Sequence, residues 1–574
     1  MTSSWLRGAE VSPHGDVHIA EQVHHHYAVS AGAVPLVAVR QDPSSVLIDI
    51  DVERFVGRAW VLARIDAFMA SRRCGFVWIE AAAGLGKTSV AAHLVAHRGW
   101  LSHFARRGES STRVRTALRS LAAQVIEAGE LRDEIAPQGY LPEWVQEPEG
   151  FANLLALAAS RIVACGGQLV LVVDGLDEAD RVAGGLPLGL PGRLPAGVFV
   201  IGTYRTGSPP GRTDSPKTVI TIGAKDPANT ADVIEFLTRV AGEEVIAGKL
   251  AEAGVTRDQF VDQLAQRCSG VWVYLRYVLA EIRHGIRGVD RLDALPADLW
   301  DYYTDNLDAW QARPDWLTVG APVLTALAAA REPVTASTLC RWIAGDLAPV
   351  RRWCDFVLRP FLAVARNADP RSAARYSIYH ASMRELLHGD AAPDGAGDAH
   401  RPWAETLHRA TTDAHFRIID GYLALFGGAP AELISLSRNL GLAATDDGYA
   451  LRHLVAHLAH TDRWTDIRQL LLGSITGDGH LANVWYQAHD THDSIDNYLD
   501  DLNHARRHAA ECVDADLAAG GLAATLADEI WYGLVAASIH SLTNNISSDL
   551  LEQLVSTSMW LSIPWNRGGL RYAA

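Results

Sequence analysis

The chain has 574 residues, of which 48% are apolar and 21% charged, a composition typical of globular protein with several domains. Its formal net charge of −16 disfavours broad electrostatic attachment to nucleic acid. No run approaches the roughly eighteen consecutive apolar residues of a membrane helix, and Met1–Arg7 lacks the basic start and apolar core of a secretion signal. We therefore expect a cytoplasmic protein that does not engage a membrane and whose scattered cysteines are reduced.

Residues 1–50 are polar and irregular and predict an N-terminal extension, because fifty residues are too few for an independent catalytic domain. Three adjacent histidines, His24–His26, could bind a metal. Neighbouring positions on a strand or helix face different ways, however, and no cysteine or carboxylate cluster accompanies them. A surface segment or interaction tag is the favoured interpretation.

Residues 51–225 alternate strand-like and helix-like stretches. Buried apolar strands that alternate with helices predict an α/β domain with a parallel sheet covered by helices on both faces. The candidate strands are Phe76–Glu80, Trp100–Phe104, Leu169–Val173, Val198–Thr203 and Thr218–Ile222, and the clearest helices are Val114–Glu127 and Phe151–Ala164.

A phosphate-binding loop, Ala81–Thr88, follows the first apolar strand directly. Glycine lets backbone N–H groups point at phosphate oxygens, Lys87 neutralises the β- and γ-phosphates, and the Thr88 hydroxyl holds Mg²⁺. The helix that follows adds its N-terminal dipole. The pattern has glycine where Ala81 stands, and alanine restricts the backbone more. The residues that we predict to hold the nucleotide here are Ala83, Gly84, Leu85, Gly86, Lys87, Thr88 and Ser89.

Acidic residues follow a second buried strand, about 90 residues after the phosphate loop. Asp174 lies at the carboxyl end of Leu169–Val173, the edge where α/β sheets bind ligands, and can hold Mg²⁺ directly or through its water shell. Asp177 or Glu178 can polarise an attacking water. A plain turn after a buried strand would explain Asp174 alone, but this order of motifs favours a triphosphate site.

Arg205 ends the apolar strand Val198–Thr203, and an arginine at that edge can reach the γ-phosphate and report its presence. The alternative is a surface arginine that merely ends a strand.

Residues 226–315 read as a helical domain, since apolar residues recur at spacings of three and four. Residues 316–390 mix helices with short strands in the order of a winged-helix domain. The elements of that segment are Pro322–Ala330, Ala336–Ala344, Val350–Leu358, Phe361–Ala365 and Tyr376–Tyr379.

After a Gly-, Pro- and Asp-rich linker at 389–398, residues 400–574 predict an all-α region, with a helical-repeat array as the natural interpretation. Leu451–His460 and Thr465–Leu472 would form one antiparallel pair. The histidines His453, His457 and His460 share a helical face, where a mixed polar surface is favoured over a zinc site because no cysteine or carboxylate pattern completes one.

The order of motifs along the chain resembles that of the STAND class of P-loop NTPases. The motifs are, in sequence, Phe55–Arg58, the phosphate loop, the Asp174 motif, Arg205 and the winged-helix segment. The closest resemblance is to bacterial NACHT-type members, which are related to NLR immune receptors, and it covers roughly residues 50–390.

The resemblance implies that Val56 and Arg58 lie near adenine and ribose, and that Arg205 senses the γ-phosphate. It implies that Asp174 supports Mg²⁺ beside the acidic pair Asp177 and Glu178. In Tyr376–Ser382, His380 resembles the histidine that contacts the β-phosphate of ADP and locks the resting state; a buried core histidine is the alternative. Ala81 departs from the family pattern, as does the missing proline after Gly270.

Three functions follow as hypotheses. The first is a signalling ATPase switch that ADP holds inactive, that self-associates on activation, and whose C-terminal helices receive a protein or ligand trigger. The family suggests bacterial defence or regulated signalling as the setting. The second is a DNA-acting, AAA-like ATPase that uses its winged helix. The third is a scaffold that binds nucleotide without hydrolysing it.

Overall fold

The computed structural model describes residues 10–11, 17–18, 35–50, 52–106, 110–181, 184–296, 298–365, 373–389, 401–473, 475–477, 480–518 and 526–543. The chain divides into two compact units, one of residues 34–421 and one of residues 1–33 with 422–574. In the latter, β1 (Glu10–Val11) pairs antiparallel with β2 (Val17–His18). The His24–His26 segment lies outside the described residues.

A five-stranded sheet forms the centre of the 34–421 unit, and all its strands are parallel, as predicted. Its spatial order is β4–β5–β6–β3–β7, so β3 lies between β6 and β7 rather than beside the strand that follows it in sequence. The strands are β3 (Gly75–Ala81), β4 (Leu101–Phe104), β5 (Leu169–Asp174), β6 (Val198–Arg205) and β7 (Lys217–Ile222).

Helices cover both faces of this sheet because successive strand residues point to opposite sides. Phe76 and Trp78 pack into one buried cluster, and Val77 and Ile79 into another. The first cluster includes Val114–Ala128 and Pro148–Ala164, and the second includes Ala59–Ser71 and Lys87–Arg98.

The end of the predicted irregular extension is ordered and joins this unit. Leu36–Val39 and Ser44–Ile50 are helices, and Leu36 and Val46 are buried. The Gln41 side chain donates to the Phe104 carbonyl at 2.9 Å and accepts from the Phe104 N–H at 2.8 Å. The amide thus satisfies backbone groups at the end of β4, a tertiary contact that the local sequence does not indicate.

The region 226–315 is helical, as predicted. The helix Arg257–Cys268 begins with a capping box in which Thr256 and Gln259 satisfy each other's backbone N–H groups. The main helices are Pro227–Ala241, Glu244–Ala253, Arg257–Cys268, Trp272–Arg283 and Leu299–Gln311.

Residues 316–389 contain the helices and strands that the sequence predicts, with an additional short strand and an additional helix. Three strands form an antiparallel sheet in the order β8–β10–β9: β8 (Val334–Thr335), β9 (Leu362–Ala365) and β10 (Arg375–Ile378). The helices include Ala321–Ala329, Ala336–Ile343, Leu347–Arg352 and Ala381–His388. We call 316–389 the distal segment.

The described part of 422–574 is mainly helical, with one hairpin of β11 (Ile475–Gly477) and β12 (His480–Ala482). The predicted pair appears as Thr445–His460 and Trp464–Leu472, which pack together. The other long helices are Ile495–Ala518 and Leu526–Thr543.

The predicted polar face of Thr445–His460 is mostly buried. His453 and His457 are buried, His460 is exposed, and the Tyr449 hydroxyl lies 2.9 Å from His457 Nε2. The interpretation as a mixed polar face is therefore wrong for His453 and His457; the His457 ring packs in the core because a tyrosine hydroxyl satisfies its nitrogen. No described helix is long and apolar enough to cross a bilayer. The six cysteines are not paired with one another.

Candidate functional site

The residues predicted to bind nucleotide or take part in hydrolysis lie together at the carboxyl edge of the sheet. Strand register places Ala81, where the phosphate loop starts, opposite Arg205, and Phe104 opposite Asp174. The strand order reverses beside β3, and a reversal of this kind opens a ligand crevice in parallel sheets.

The phosphate loop runs from β3 into the helix Lys87–Arg98. Gly84 and Gly86 have φ of 78° and 85°, the left-handed region in which glycine meets no Cβ clash. The Lys87 ammonium donates to the carbonyls of Ala81 and Ala82 at 2.8 and 3.0 Å. Burial lowers its pKa, while Asp177 and Asp174 act in the opposite direction. A partly buried ammonium held by neutral carbonyls is suited to exchange them for phosphate oxygens.

Asp174 ends β5 and is buried. The Thr203 hydroxyl, one strand away on β6, donates to Asp174 Oδ1 and accepts from the Gly175 N–H at 3.0 Å. Burial raises the pKa of Asp174, and hydrogen bonds from Thr203 and Thr88 and the charge of Lys87 oppose that rise. A buried carboxylate under this desolvation penalty is an acceptor for a cation.

Arg58 is held under the phosphate loop. Arg58 has a backbone φ of 62° and is 2% exposed, and its guanidinium donates to the Leu85 carbonyl at 2.7 Å. Asp232 lies 3.6 Å from the guanidinium and also accepts from the Trp60 indole at 3.2 Å. A Cβ on Gly57 would lie 2.6 Å from Asp232, so this turn needs glycine. Helix Pro227–Ala241 thereby clamps the Gly57–Arg58 turn.

The start of helix Trp272–Arg283 packs on the same loop. The Val273 N–H donates to the Gly84 carbonyl at 3.1 Å, and a Cβ on Gly84 would lie 2.6 Å from Val273 Cγ1. The buried amide of Asn229 donates to the Gly270 carbonyl at 3.1 Å and accepts from the Trp272 indole at 2.9 Å. This amide and indole hold the turn between Gly270 and the helix Trp272–Arg283.

Arg205 connects the sheet edge to the distal segment. Its N–H donates to Asp177 Oδ1 at 3.0 Å, and its guanidinium lies 3.8 Å from the same carboxylate. Its Nη1 contacts Glu385 Oε1 at 2.6 Å, and the Glu385 side chain is 12% exposed. Burial lowers the pKa of Arg205, and Glu385 and Asp177 more than offset this, so the pKa is raised overall.

His380 caps the helix Ala381–His388 and lines the same cavity. Burial lowers its pKa to about 3, with the positive charges of Lys87, Arg205 and Arg276 adding to the effect. The ring is therefore neutral near neutral pH. Lys87, Arg205 and His380 line one cavity.

A cavity of about 920 Å³ joins these groups. Among the predicted site residues, Leu85 is the exception: its side chain packs in the core and its carbonyl receives Arg58. The others line the cavity, namely Val56, Arg58, Ala83, Gly84, Gly86, Lys87, Thr88, Ser89, Asp174, Asp177, Glu178, Arg205 and His380.

Sequence reasoning missed Glu385, Trp272 and Arg276, which line the cavity, and Asp232, which holds Arg58. Asp232 and Trp272 stand among other polar and aromatic residues of their helices, so no local signal singles them out. Nothing in the local sequence of Glu385 indicates its arginine partner 180 residues upstream.

Residues 58–187 match the family model described as Nephrocystin 3, N-terminal. No curated protein matches the chain. Among solved structures, a Signal Transduction ATPase with Numerous Domains (STAND) protein with a tetratricopeptide repeat sensor from Pyrococcus horikoshii is 12% identical. The alignment covers 88% of this chain and 70% of that one, with a TM-score of 0.37. The RuvB Holliday junction branch migration motor of Thermotoga maritima is 13% identical over 59% of this chain and 97% of that one, with a TM-score of 0.22.

Proposed function

We propose that the chain is a nucleotide-controlled signalling switch. It carries a NACHT-type domain of the P-loop NTPase class, and that class binds nucleotide. It binds ATP or ADP with Mg²⁺, hydrolyses ATP slowly, rests with ADP bound, and self-associates on activation. The C-terminal helices receive the trigger, and the setting that the resemblance suggests is bacterial defence or regulated signalling.

The residues present fit Mg²⁺. Thr88 and Asp174 offer a hydroxyl and a carboxylate oxygen in one cavity, and the carboxylate is buried with a raised pKa that a cation would offset. Within the described ranges no group of three or more His, Cys, Asp or Glu side chains could hold a metal, and Mg²⁺ usually takes one or two protein oxygens plus phosphates. When bound, the ion neutralises charge on the β- and γ-phosphates.

Hydrolysis needs a base that orients water, and Asp177 and Glu178 are the cavity carboxylates that follow Asp174 in the chain. Asp177 accepts from the Arg205 N–H and lies near its guanidinium, so it is already engaged in positioning Arg205. Glu178 also lines the cavity. We assign water polarisation to the acidic pair Asp177 and Glu178, with Arg205 stabilising charge on the γ-phosphate and Lys87 holding the β- and γ-phosphates.

The observation that carries the proposal is the ion pair between Arg205 and Glu385. It joins the arginine expected to sense the γ-phosphate to the distal segment that supplies His380. Without a γ-phosphate, Glu385 gives Arg205 an anionic partner and the distal segment stays docked. A γ-phosphate would compete for the same guanidinium, which couples the nucleotide state to docking.

Native mass spectrometry of the purified full chain tests this function. We expect bound ADP or ATP in the parent, loss of nucleotide in Lys87→Ala, and retention in the control Lys225→Ala, which changes an exposed lysine. A non-hydrolysable ATP analogue with Mg²⁺ should produce multimers. Full nucleotide occupancy in Lys87→Ala would overturn the proposal. Bound ATP without measurable turnover, in monomer or multimer, would instead indicate the non-hydrolysing scaffold.

A further inference from the structure

A hydrogen-bond chain runs from the helical region to His380. The Tyr303 hydroxyl, on helix Leu299–Gln311, lies 2.8 Å from Ser382 Oγ. Ser382 Oγ lies 2.8 Å from His380 Nδ1, and the Ser382 N–H donates to the same nitrogen at 3.2 Å. Tyr303 and Ser382 are 0% and 2% exposed, so solvent does not compete for these bonds.

This geometry determines which ring nitrogen carries the proton. A backbone N–H is only a donor, so Nδ1 must present its lone pair to cap the helix Ala381–His388. Because the imidazole is neutral, its one proton then lies on Nε2. Either hydroxyl of the Tyr303–Ser382 pair can be the donor; when Tyr303 donates to Ser382 Oγ, the serine proton is free to donate to His380 Nδ1.

A cation–π contact also holds Tyr379, the residue that precedes His380. Tyr379, the preceding residue, stacks under Arg276, whose guanidinium carbon lies 3.5 Å from the tyrosine ring centroid. Arg276 belongs to helix Trp272–Arg283, which packs on the phosphate loop through Val273. The orientation of His380 therefore depends on two helices outside the distal segment.

We propose that Ser382 and Tyr303 are positioning residues that hold His380 in the Nε2–H tautomer, so that it presents a hydrogen-bond donor to a phosphate oxygen of bound nucleoside diphosphate. This inference rests on the proposed function for its ligand. The opposite tautomer would face the phosphate with a lone pair and turn an attraction into a repulsion. Because Tyr303 lies outside the distal segment, its contribution to holding this tautomer is present only while that segment is docked.

The tautomer can be read without nucleotide. In the full chain with ¹⁵N-labelled histidine, the His380 signals are assigned by their loss in His380→Gln, and the ¹⁵N shifts separate the two tautomers. We expect Nε2–H in the parent and in Ser382→Thr, with a rising Nδ1–H fraction in Tyr303→Phe and then Ser382→Ala. A parent His380 with its proton on Nδ1 overturns the proposal, whatever the protein binds.

Nucleotide affinity supplies the second measurement. By titration with fluorescent ADP, Ser382→Ala and Tyr303→Phe should raise the ADP dissociation constant about three- to tenfold, as loss of a phosphate hydrogen bond does. Ser382→Thr should stay near the parent, as should Tyr302→Phe, which removes a hydroxyl from the neighbouring buried tyrosine.

The two substitutions should act only through the histidine. In a His380→Ala background, neither Ser382→Ala nor Tyr303→Phe should weaken ADP binding further. An equal weakening in that background would show that they act on the fold instead, and would overturn the positioning role. If the proposed function itself fails, the parent binds no nucleotide, a result separate from the tautomer measurement.

Discussion

Neutralising Glu385 should release the distal segment from the sensor arginine. The Glu385–Arg205 pair has a 2.6 Å contact with side chains 12% and 30% exposed, so it is partly shielded from water. A hydrogen bond to a charged group at such a site contributes about 1.5–3 kcal/mol, and each 1.36 kcal/mol is a factor of ten in an equilibrium. Glu385→Gln should therefore shift the docked-to-released equilibrium about 10- to 150-fold toward release.

The assay is the release of fluorescent ADP by stopped flow, with mass photometry to follow self-association. We expect faster ADP release, a higher affinity for a non-hydrolysable ATP analogue relative to ADP, and multimers at lower analogue concentration. Glu405→Gln, which neutralises an exposed acid on another helix, is the matched control. Parent-like ADP release together with an unchanged ATP-analogue to ADP ratio in Glu385→Gln would refute the coupling.

Three further predictions concern the cavity and the core. Asp174→Asn should reduce Mg²⁺-dependent hydrolysis at least about 100-fold, yet leave the nucleotide-free melting temperature no lower, since burial penalises the charged acid; a lower melting temperature contradicts this account. Gly84→Ala should weaken nucleotide binding and destabilise the unit by about 1–3 kcal/mol, because φ is +78° and the new Cβ would lie 2.6 Å from Val273; unchanged binding and calorimetry would refute it. His103 donates to the Ser111 carbonyl, and burial lowers its pKa to about 4 from 6.5, so acidification from about pH 7 to about pH 4.5 should remove about 2–3 kcal/mol of stability. In urea unfolding, His103→Gln should flatten that pH dependence, and an equal slope in both proteins would exclude His103 as its source.

The short-range motifs were predictable because their chemistry is local. An apolar strand followed by a glycine-rich turn and Lys87 specifies the phosphate loop, and Asp174 and Arg205 each end a strand whose burial is evident from its residues. Parallel strands bring their carboxyl ends to one edge, so the convergence of these side chains followed from the sheet alone.

The misjudged segments share a different cause. Residues 36–50 combine short apolar runs with polar residues, and they are ordered because Leu36 and Val46 are buried and Gln41 satisfies backbone groups at the end of a distant strand. His457 is buried because the hydroxyl of Tyr449, eight residues earlier on the same helix, hydrogen-bonds to its ring nitrogen. In both cases a partner, not the residue itself, sets the burial.

By itself the sequence determined the parallel sheet, the phosphate loop and the acidic and basic residues at the strand ends, since each depends on neighbours within a few positions. Only the tertiary structure decided that Glu385 pairs with Arg205 and that Tyr303 and Ser382 orient His380. Those contacts join residues 79 and 180 positions apart. Their geometry depends on how packed helices meet, and no local periodicity encodes it.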